Sequence, residues 1–495
     1  MRLFYPKLLL LPFLFWGISC TGSNTHQAER MPNIIYIMAD DLGYGSLGSY
    51  GQKLIRTPHL DQMAREGLRF TRFYAGSTVC APSRNTLLTG LSTARSLIRG
   101  NQEFGGFLDD EERGQYPLPP ETETLARFLQ LHGYATGLVG KWGLGGPQST
   151  GLPNLHGFDF FYGYLDQKQA HNFYPSHFWR NQIWEATRNG YFSPHQKLKG
   201  DPSDARAYDS FTGVDYATDL FGEEALQFIQ QHRTKPFFLY LPYTAPHLAL
   251  QAPEDAIAEY DGVFDETAYI GDKGYLPHPK PKAAYAAMIT RMDKQIGRMM
   301  QVLKNLNLDQ NTLVIFTSDN GASFKMGGFD PDFFTANGAL RGYKQDLLEG
   351  GIRVPFIARW PGKIAPNTTT DHISANWDVF ATVAHLVGKP LSNQQEGVSF
   401  LPTLLNKGIQ AEHDWLYWEF PEVKDGIQAV LWGKWKGIRT GWLKTSEAPI
   451  ELYDLTNDPA ERNNIAADHA DVVAHLKTLF AKRQVAPLPH WNPVY

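Results

Sequence analysis

Cysteine is nearly absent: the chain of 495 residues has two, Cys20 and Cys80. So few exclude a disulfide framework, and if Cys20 is consumed at an export site then Cys80 has no partner and needs another explanation. A strong charge of one sign is also missing. Formal net charge is −5 with no basic tract, which excludes the electrostatic footprint of a nucleic-acid partner. Beyond the N-terminus there is no long apolar run, and there are no internal repeats, sustained heptads or low-complexity tracts. Membrane-spanning, solenoid and coiled-coil readings therefore fall away.

The N-terminus is different. Arg2 and Lys7 precede the apolar run Leu8 to Ile18, and Cys20 follows. Such a run is too short to span a bilayer and reads as an export signal. Gly17-Ile18-Ser19-Cys20 resembles a bacterial lipoprotein cleavage site, with Gly17 where leucine is usual. The expectation is a signal over 1–20, lipidation of Cys20 and a polar linker over 21–31; cleavage without lipidation is the alternative. The mature chain would be exported in a Gram-negative bacterium, periplasmic or anchored at the outer membrane, and would touch membrane only through the lipid. Acidic residues do not crowd the stretch after Cys20, which favours a periplasm-facing anchor.

The remaining composition is ordinary for a globular protein, 42% hydrophobic and 13% aromatic. From Pro32 onward, short β-branched runs alternate with amphipathic stretches. Strands are expected at 33–38, 68–74, 135–139, 236–241, 313–317 and 354–359, and helices at 58–67, 123–133, 221–232, 283–306 and 377–387. That alternation predicts an α/β fold, a mostly parallel sheet covered by helices on both faces. Two Gly-, Pro- and aromatic-rich stretches, 140–155 and 175–210, read as loops on the functional rim. The catalytic domain is expected over 32–388. Beyond it, 389–495 reads as a smaller α+β domain, with short strands at 415–420, 429–440 and 450–455 and a closing helix at 471–483.

Ligands of open α/β sheets bind beyond the carboxyl ends of the strands. Four predicted strand ends carry chemistry: Asp40-Asp41, Lys141 in Gly140-Lys141-Trp142, His247 in Pro246-His247, and Asp319-Asn320 in Ser318-Asp319-Asn320-Gly321. Asp40, Asp41, Asp319 and Asn320 are all oxygen donors, and adjacent aspartates repel unless a cation or proton lies between them. That donor set suits calcium, with magnesium second, and disfavours zinc. Lys141, Lys344 and Arg84 are cations without local partners that could clamp an anion and stabilise its transition state. His247 could give a proton to a leaving oxygen.

Cys80-Ala81-Pro82-Ser83-Arg84, continued by Thr89-Gly90, resembles the signature of the type I sulfatases. The other motifs agree in chain order, from Asp40-Asp41-Leu42-Gly43 to Gly342-Tyr343-Lys344 with Glu349-Gly350-Gly351, and then to Leu452-Tyr453-Asp454-Leu455. The resemblance covers nearly the whole mature chain. It implies an alkaline-phosphatase-like fold and sulfate-ester hydrolysis. It also implies a maturation enzyme that oxidises Cys80 to formylglycine, whose hydrate supplies the nucleophile. Asp40, Asp41, Asp319, Asn320 and residue 80 would hold the metal, Arg84 the formylglycine, Lys141 and Lys344 the sulfate and leaving oxygen, and His247 would be the general acid. A sulfated carbohydrate is the expected substrate, on galactose or N-acetylgalactosamine. The loop 166–180, with His171, Asn172, Tyr174, His177 and Trp179, would meet the sugar, His171 binding substrate. Two other readings stand beside this: a formylglycine-dependent phosphodiester or phosphomonoester hydrolase, and a non-catalytic sugar-binding lipoprotein. One position departs from the family: Gly143 stands where a histidine is common, with His156, His171 and His177 as candidate replacements.

Overall fold

The computed structural model describes residues 1–4, 6, 30–392 and 394–483. The apolar run before Cys20, and Cys20 itself, lie outside the described residues.

Asn33–Ala39 is the centre of the fold, and all seven of its residues are buried. Side chains alternate between sheet faces with a period of two. Ile35, Ile37 and Ala39 therefore enter one core and Ile34, Tyr36 and Met38 the other. The first core is closed by helices Pro58–Arg65, Ala217–Gln231 and the long Pro281–Asn305. The second is closed by Cys80–Thr89, Leu125–Leu131 and Asp378–Leu386. Five strands run parallel in the order Thr312–Ser318, Asn33–Ala39, Phe237–Pro242, Ala135–Lys141, Phe160–Tyr164. On one side Arg353–Arg359 and then Leu68–Tyr74 add antiparallel, and on the other His177–Arg180 and Ile183–Ala186 do so. With Thr368–Thr370 and Ser374–Ala375 the sheet has eleven strands.

A second sheet of four antiparallel strands, from Leu416–Phe420 to Ile450–Asp454, comes after it in the chain. One face packs on Tyr74, Val79 and Trp377, and the other carries the helix Ala470–Lys482. Trp418, fully buried, donates its indole N–H to the Ala75 carbonyl at 2.9 Å and so fastens this sheet to the first.

The structure adds short elements to the sequence reading, and four differences matter most here. The stretch 175–210 is not only loop, because two short strands in it extend the main sheet. The run 429–440 is a hairpin, Ile427–Trp432 and Trp435–Thr440, turned by Gly433 at φ +58°. The parallel strand Phe160–Tyr164 was not anticipated, since aromatic residues and a glycine hide its period. Nor was the helix Cys80–Thr89, whose ten residues are all buried and so show no amphipathic stripe.

Candidate active site

The parallel strands bring their carboxyl ends to one edge, and the candidate residues converge there. Asp40 and Asp41 leave the central strand. Asp41 has φ +60°, which turns its backbone N–H onto Asp319 Oδ1 at 3.1 Å. Asp319 and Asn320 leave the neighbouring strand, and Asn320 Nδ2 donates to Asp41 Oδ1 at 2.7 Å. Lys141 ends its strand with Nζ 2.7 Å from Asp40 Oδ2. Cys80 opens its helix with Sγ 3.2 Å from Asp40 Oδ1.

Arg84, one turn along that helix, is fully buried. It donates twice to Asp319 Oδ2, at 2.9 and 3.2 Å, and once to the Lys141 carbonyl at 2.8 Å. Lys344 arrives from the irregular segment before Glu349. Its Nζ straddles Asp41 at 2.9 and 3.0 Å and lies 3.5 Å from Cys80 Sγ and 3.2 Å from His247 Nε2. Three buried carboxylates, Asp40, Asp41 and Asp319, thus face three cations, Arg84, Lys141 and Lys344. The charges balance, which is what lets them share a buried space.

Burial would raise the Asp40 carboxyl. Lys141 foremost, then His247, Arg84 and Lys344, outweigh it and hold Asp40 well below the usual carboxylate range. Asp319 is pushed up to about 7 by burial and by the neighbouring charge of Asp40. Burial and Lys344 press His247 down to about 4, so its imidazole is neutral at pH 7. With Nδ1–H donated to the Leu248 carbonyl at 2.6 Å, Nε2 is the acceptor for Lys344. Burial first, then Asp40, raises the Cys80 thiol well above its ordinary value. A cysteine held as a thiol is a weak nucleophile, so residue 80 as plain cysteine is poorly suited to attack.

The donor set fits a hard divalent cation. Asp40, Asp41, Cys80 and His247 offer ligand atoms within 4.8 Å of one another. Asn320 Oδ1 is buried with no hydrogen-bond partner among the described residues, an oxygen acceptor that a cation could use. Three carboxylates and an amide oxygen are calcium or magnesium chemistry.

A cavity of about 250 Å³ opens over this cluster, lined by Cys80, Lys141, His171, His247 and Lys344 together with Asn101, Glu103, Gln167 and Tyr275. His171 is thus in the site, its ring stacked on His247 at 5.0 Å and its Nδ1 3.1 Å from His195 Nε2. Gln167, from the same loop, lines the cavity too, but the other loop residues expected to meet the sugar do not. Tyr174 borders a different cavity, and His177 and Trp179 are held by Glu112 at 3.2 and 2.9 Å. His156 is buried against Trp142 with Nε2 on the Thr150 carbonyl at 2.9 Å. Neither His156 nor His177 lines the cavity over Cys80, and so neither can replace a histidine at Gly143.

Sequence reasoning missed Asn101, Glu103, Gln167 and Tyr275. Gln167 had a usable signal: it lies just past Phe160–Tyr164, the fifth parallel strand end. Tyr275, Asn101 and Glu103 come from segments with no strand-end signal.

The family model described as Sulfatase matches residues 32–389, and one described as N-sulphoglucosamine sulphohydrolase, C-terminal, matches 343–486. Arylsulfatase A of Bos taurus is 34% identical, over 93% of this chain and 88% of that protein. N-acetylgalactosamine-6-O-sulfatase of Bacteroides thetaiotaomicron is 30% identical, over 95% of this chain and 98% of that protein. The solved structure of Ps i-CgsB in complex with k-i-k-neocarrahexaose superposes with a TM-score of 0.75 at 25% identity, over 93% of this chain and 95% of that chain.

Proposed function

The chain belongs to the sulfatase family and is a sulfuric ester hydrolase, and from that premise we propose that it removes sulfate from a sulfated carbohydrate, on galactose or N-acetylgalactosamine. The observation that carries the chemistry is the convergence of Cys80, Lys141, Lys344 and His247 on one cavity floored by Asp40 and Asp41. The sugar reading draws support from the N-acetylgalactosamine and neocarrahexaose relatives.

In this reading a maturation enzyme oxidises Cys80 to formylglycine. The hydrated aldehyde supplies two hydroxyls, one to attack sulfur and one whose collapse to the aldehyde expels sulfate. Asp40, Asp41, Asp319, Asn320 and residue 80 would hold calcium, which supplies Lewis-acid polarisation of a sulfate oxygen. Lys141, buried, and Lys344, half-buried, attract the sulfate and stabilise charge as it grows on the leaving oxygen. Burial and Lys344 keep His247 neutral at pH 7. An arriving sulfate adds negative charge beside it, which favours its protonated form and prepares it to deliver a proton to the leaving alcohol. Arg84 holds Asp319 and the Lys141 carbonyl, and so keeps the metal side and the sulfate side in register.

The basic and apolar N-terminal residues and Cys20 support export and a lipid anchor in the periplasm or at the outer membrane. No described helix is long and apolar enough to cross a membrane. A panel of defined sulfated mono- and disaccharides, read by released sulfate, tests the substrate. Turnover of aryl sulfate with none on any galactose or N-acetylgalactosamine sulfate would overturn the sugar assignment.

A further inference from the structure

The formylglycine reading gives residue 80 two hydroxyls, and Gly143 has no side chain to hold the second. Resting on that reading, we propose that Gln167 holds it: the side-chain amide accepts a hydrogen bond from the second hydroxyl and positions it for release of sulfate.

Gln167 is 2% exposed, and both Oε1 and Nε2 are buried without a hydrogen-bond partner among the described residues. An unpaired buried amide is costly, and native interiors rarely keep one without a use. The same side chain lines the cavity that holds Cys80, Lys141, His247 and Lys344.

The link to Gly143 is geometric. Lys141 and Tyr164 are paired in neighbouring parallel strands, and the pairing runs on past both strand ends. Trp142 N donates to the Tyr164 carbonyl at 2.9 Å, and Gly143 N to the Leu165 carbonyl at 3.1 Å. A Cβ on residue 143 would stand 2.8 Å from Gln167 Cγ and 2.9 Å from its Cδ. A side chain at 143 and the side chain of Gln167 therefore contend for one volume. At Gly143, φ is +76°, which also disfavours any Cβ.

Gln167 is firmly mounted. Its backbone N–H donates to Gln115 Oε1 at 3.0 Å. The preceding Asp166 carboxylate accepts from Gly114 N, Gln115 Nε2 and Lys168 N at 2.8, 3.1 and 2.8 Å. Only the amide is left over, on the wall of the cavity that Cys80 also lines.

An amide suits the task because it orients a hydroxyl without adding charge to an anion site. It is not a base. In the second step the O–H bond of the remaining hydroxyl breaks and its electrons form the C=O bond. The bond from carbon to the sulfate oxygen breaks, sulfate leaves with that pair, and the proton passes to solvent water. Gln167 fixes the hydroxyl for this collapse and takes no proton.

The test uses protein co-produced with a formylglycine-generating enzyme, its aldehyde content read from the mass of the peptide that contains residue 80. Gln167→Met keeps the volume and removes the amide; Gln167→Ala is the second variant. Aryl sulfate hydrolysis is followed by stopped flow, with intact mass on quenched samples. The expected result is a tenfold or greater fall in kcat with KM unchanged or lower. It comes with a burst of one phenol per aldehyde, sulfated enzyme accumulating in the variants and not in wild type, and a melting temperature for Gln167→Met no lower than wild type. Unchanged turnover, a rise in KM alone, or slowing without burst or sulfated enzyme overturns the proposal. So does a melting temperature that falls in step with activity in both variants. An unmodified Cys80 peptide in active wild-type protein overturns the formylglycine reading and this one together, and that mass tells it apart from a failure of Gln167 alone.

Discussion

Lys436→Met should destabilise the protein severely, though Lys436 touches no candidate active-site residue. Its Nζ lies 2.8 Å from Glu349 Oε1 and 3.0 Å from Glu461 Oε1, and all three side chains are fully buried. Glu349 also accepts from the Tyr74 hydroxyl at 3.0 Å and from Arg353 at 3.3 Å. The cluster ties the second sheet to the segment that carries Lys344, because Glu349 opens the short helix Glu349–Ile352. Methionine keeps the length and removes the charge, leaving two like charges buried. Removing one partner of a buried ion pair costs about 3–5 kcal/mol. Two features soften this: Arg353 still faces Glu349, and Glu461, pushed up to about 7 by burial, readily takes a proton. The expected loss is therefore at the lower end, roughly 3 kcal/mol at pH 8, and smaller at pH 5.5 where Glu461 is neutral. Urea unfolding followed by circular dichroism at both pH values measures it. The triple variant Lys436→Met, Glu349→Gln, Glu461→Gln removes the stranded charges and should recover most of the loss. A single-variant loss under about 1 kcal/mol, or a triple variant no better than the single, would refute the reasoning.

Four further outcomes are expected. Asp293 accepts from Leu60 N at 2.7 Å and His59 N at 3.1 Å, and burial pushes it up to about 7. Its folded value exceeds the unfolded one, so its contribution is full below about pH 4 and fades as pH rises through 7; urea melts of wild type against Asp293→Asn should narrow by roughly 2 kcal/mol between pH 5 and 7. Gly143→Ala should cost roughly 1–2 kcal/mol by denaturant melt, because it places a Cβ at positive φ and against Gln167. Lys141→Met should lower kcat/KM for an aryl sulfate by roughly 10²–10³, the scale of losing one preorganised charge at a transition state. Chelation should abolish turnover while the fold survives, since Arg84, Lys141 and Lys344 still balance the three aspartates; calcium at a hundredfold excess over Kd should add about 2.7 kcal/mol of stability.

Much of the sheet was legible because buried parallel strands are continuous apolar runs, and their ends mark the site. Asp40, Lys141, His247 and Asp319 each lie within a few residues of the carboxyl end of such a run. Phe160–Tyr164 escaped because Tyr162, Gly163 and Tyr164 carry no β-branched signal, and with it escaped Gln167. The Cys80 helix escaped because its buried faces mix Ser83, Arg84, Asn85 and Thr86 with Leu87 and Leu88, so no apolar stripe marks a helical period. His171, expected to bind substrate, lines the cavity over Cys80. Its loop partners His177 and Trp179 are not, because Glu112, from a hairpin distant in sequence, holds both. Contacts of that kind depend on tertiary register, which no local pattern carries.

The central claim is that residue 80 becomes an aldehyde and that the aldehyde performs the hydrolysis. The most direct measurement is the mass of the peptide spanning Cys80 across preparations with graded maturation, set against aryl sulfate turnover. Turnover should rise in proportion to the aldehyde fraction and vanish in Cys80→Ala. Turnover independent of that fraction, or retained by Cys80→Ala, would contradict the account.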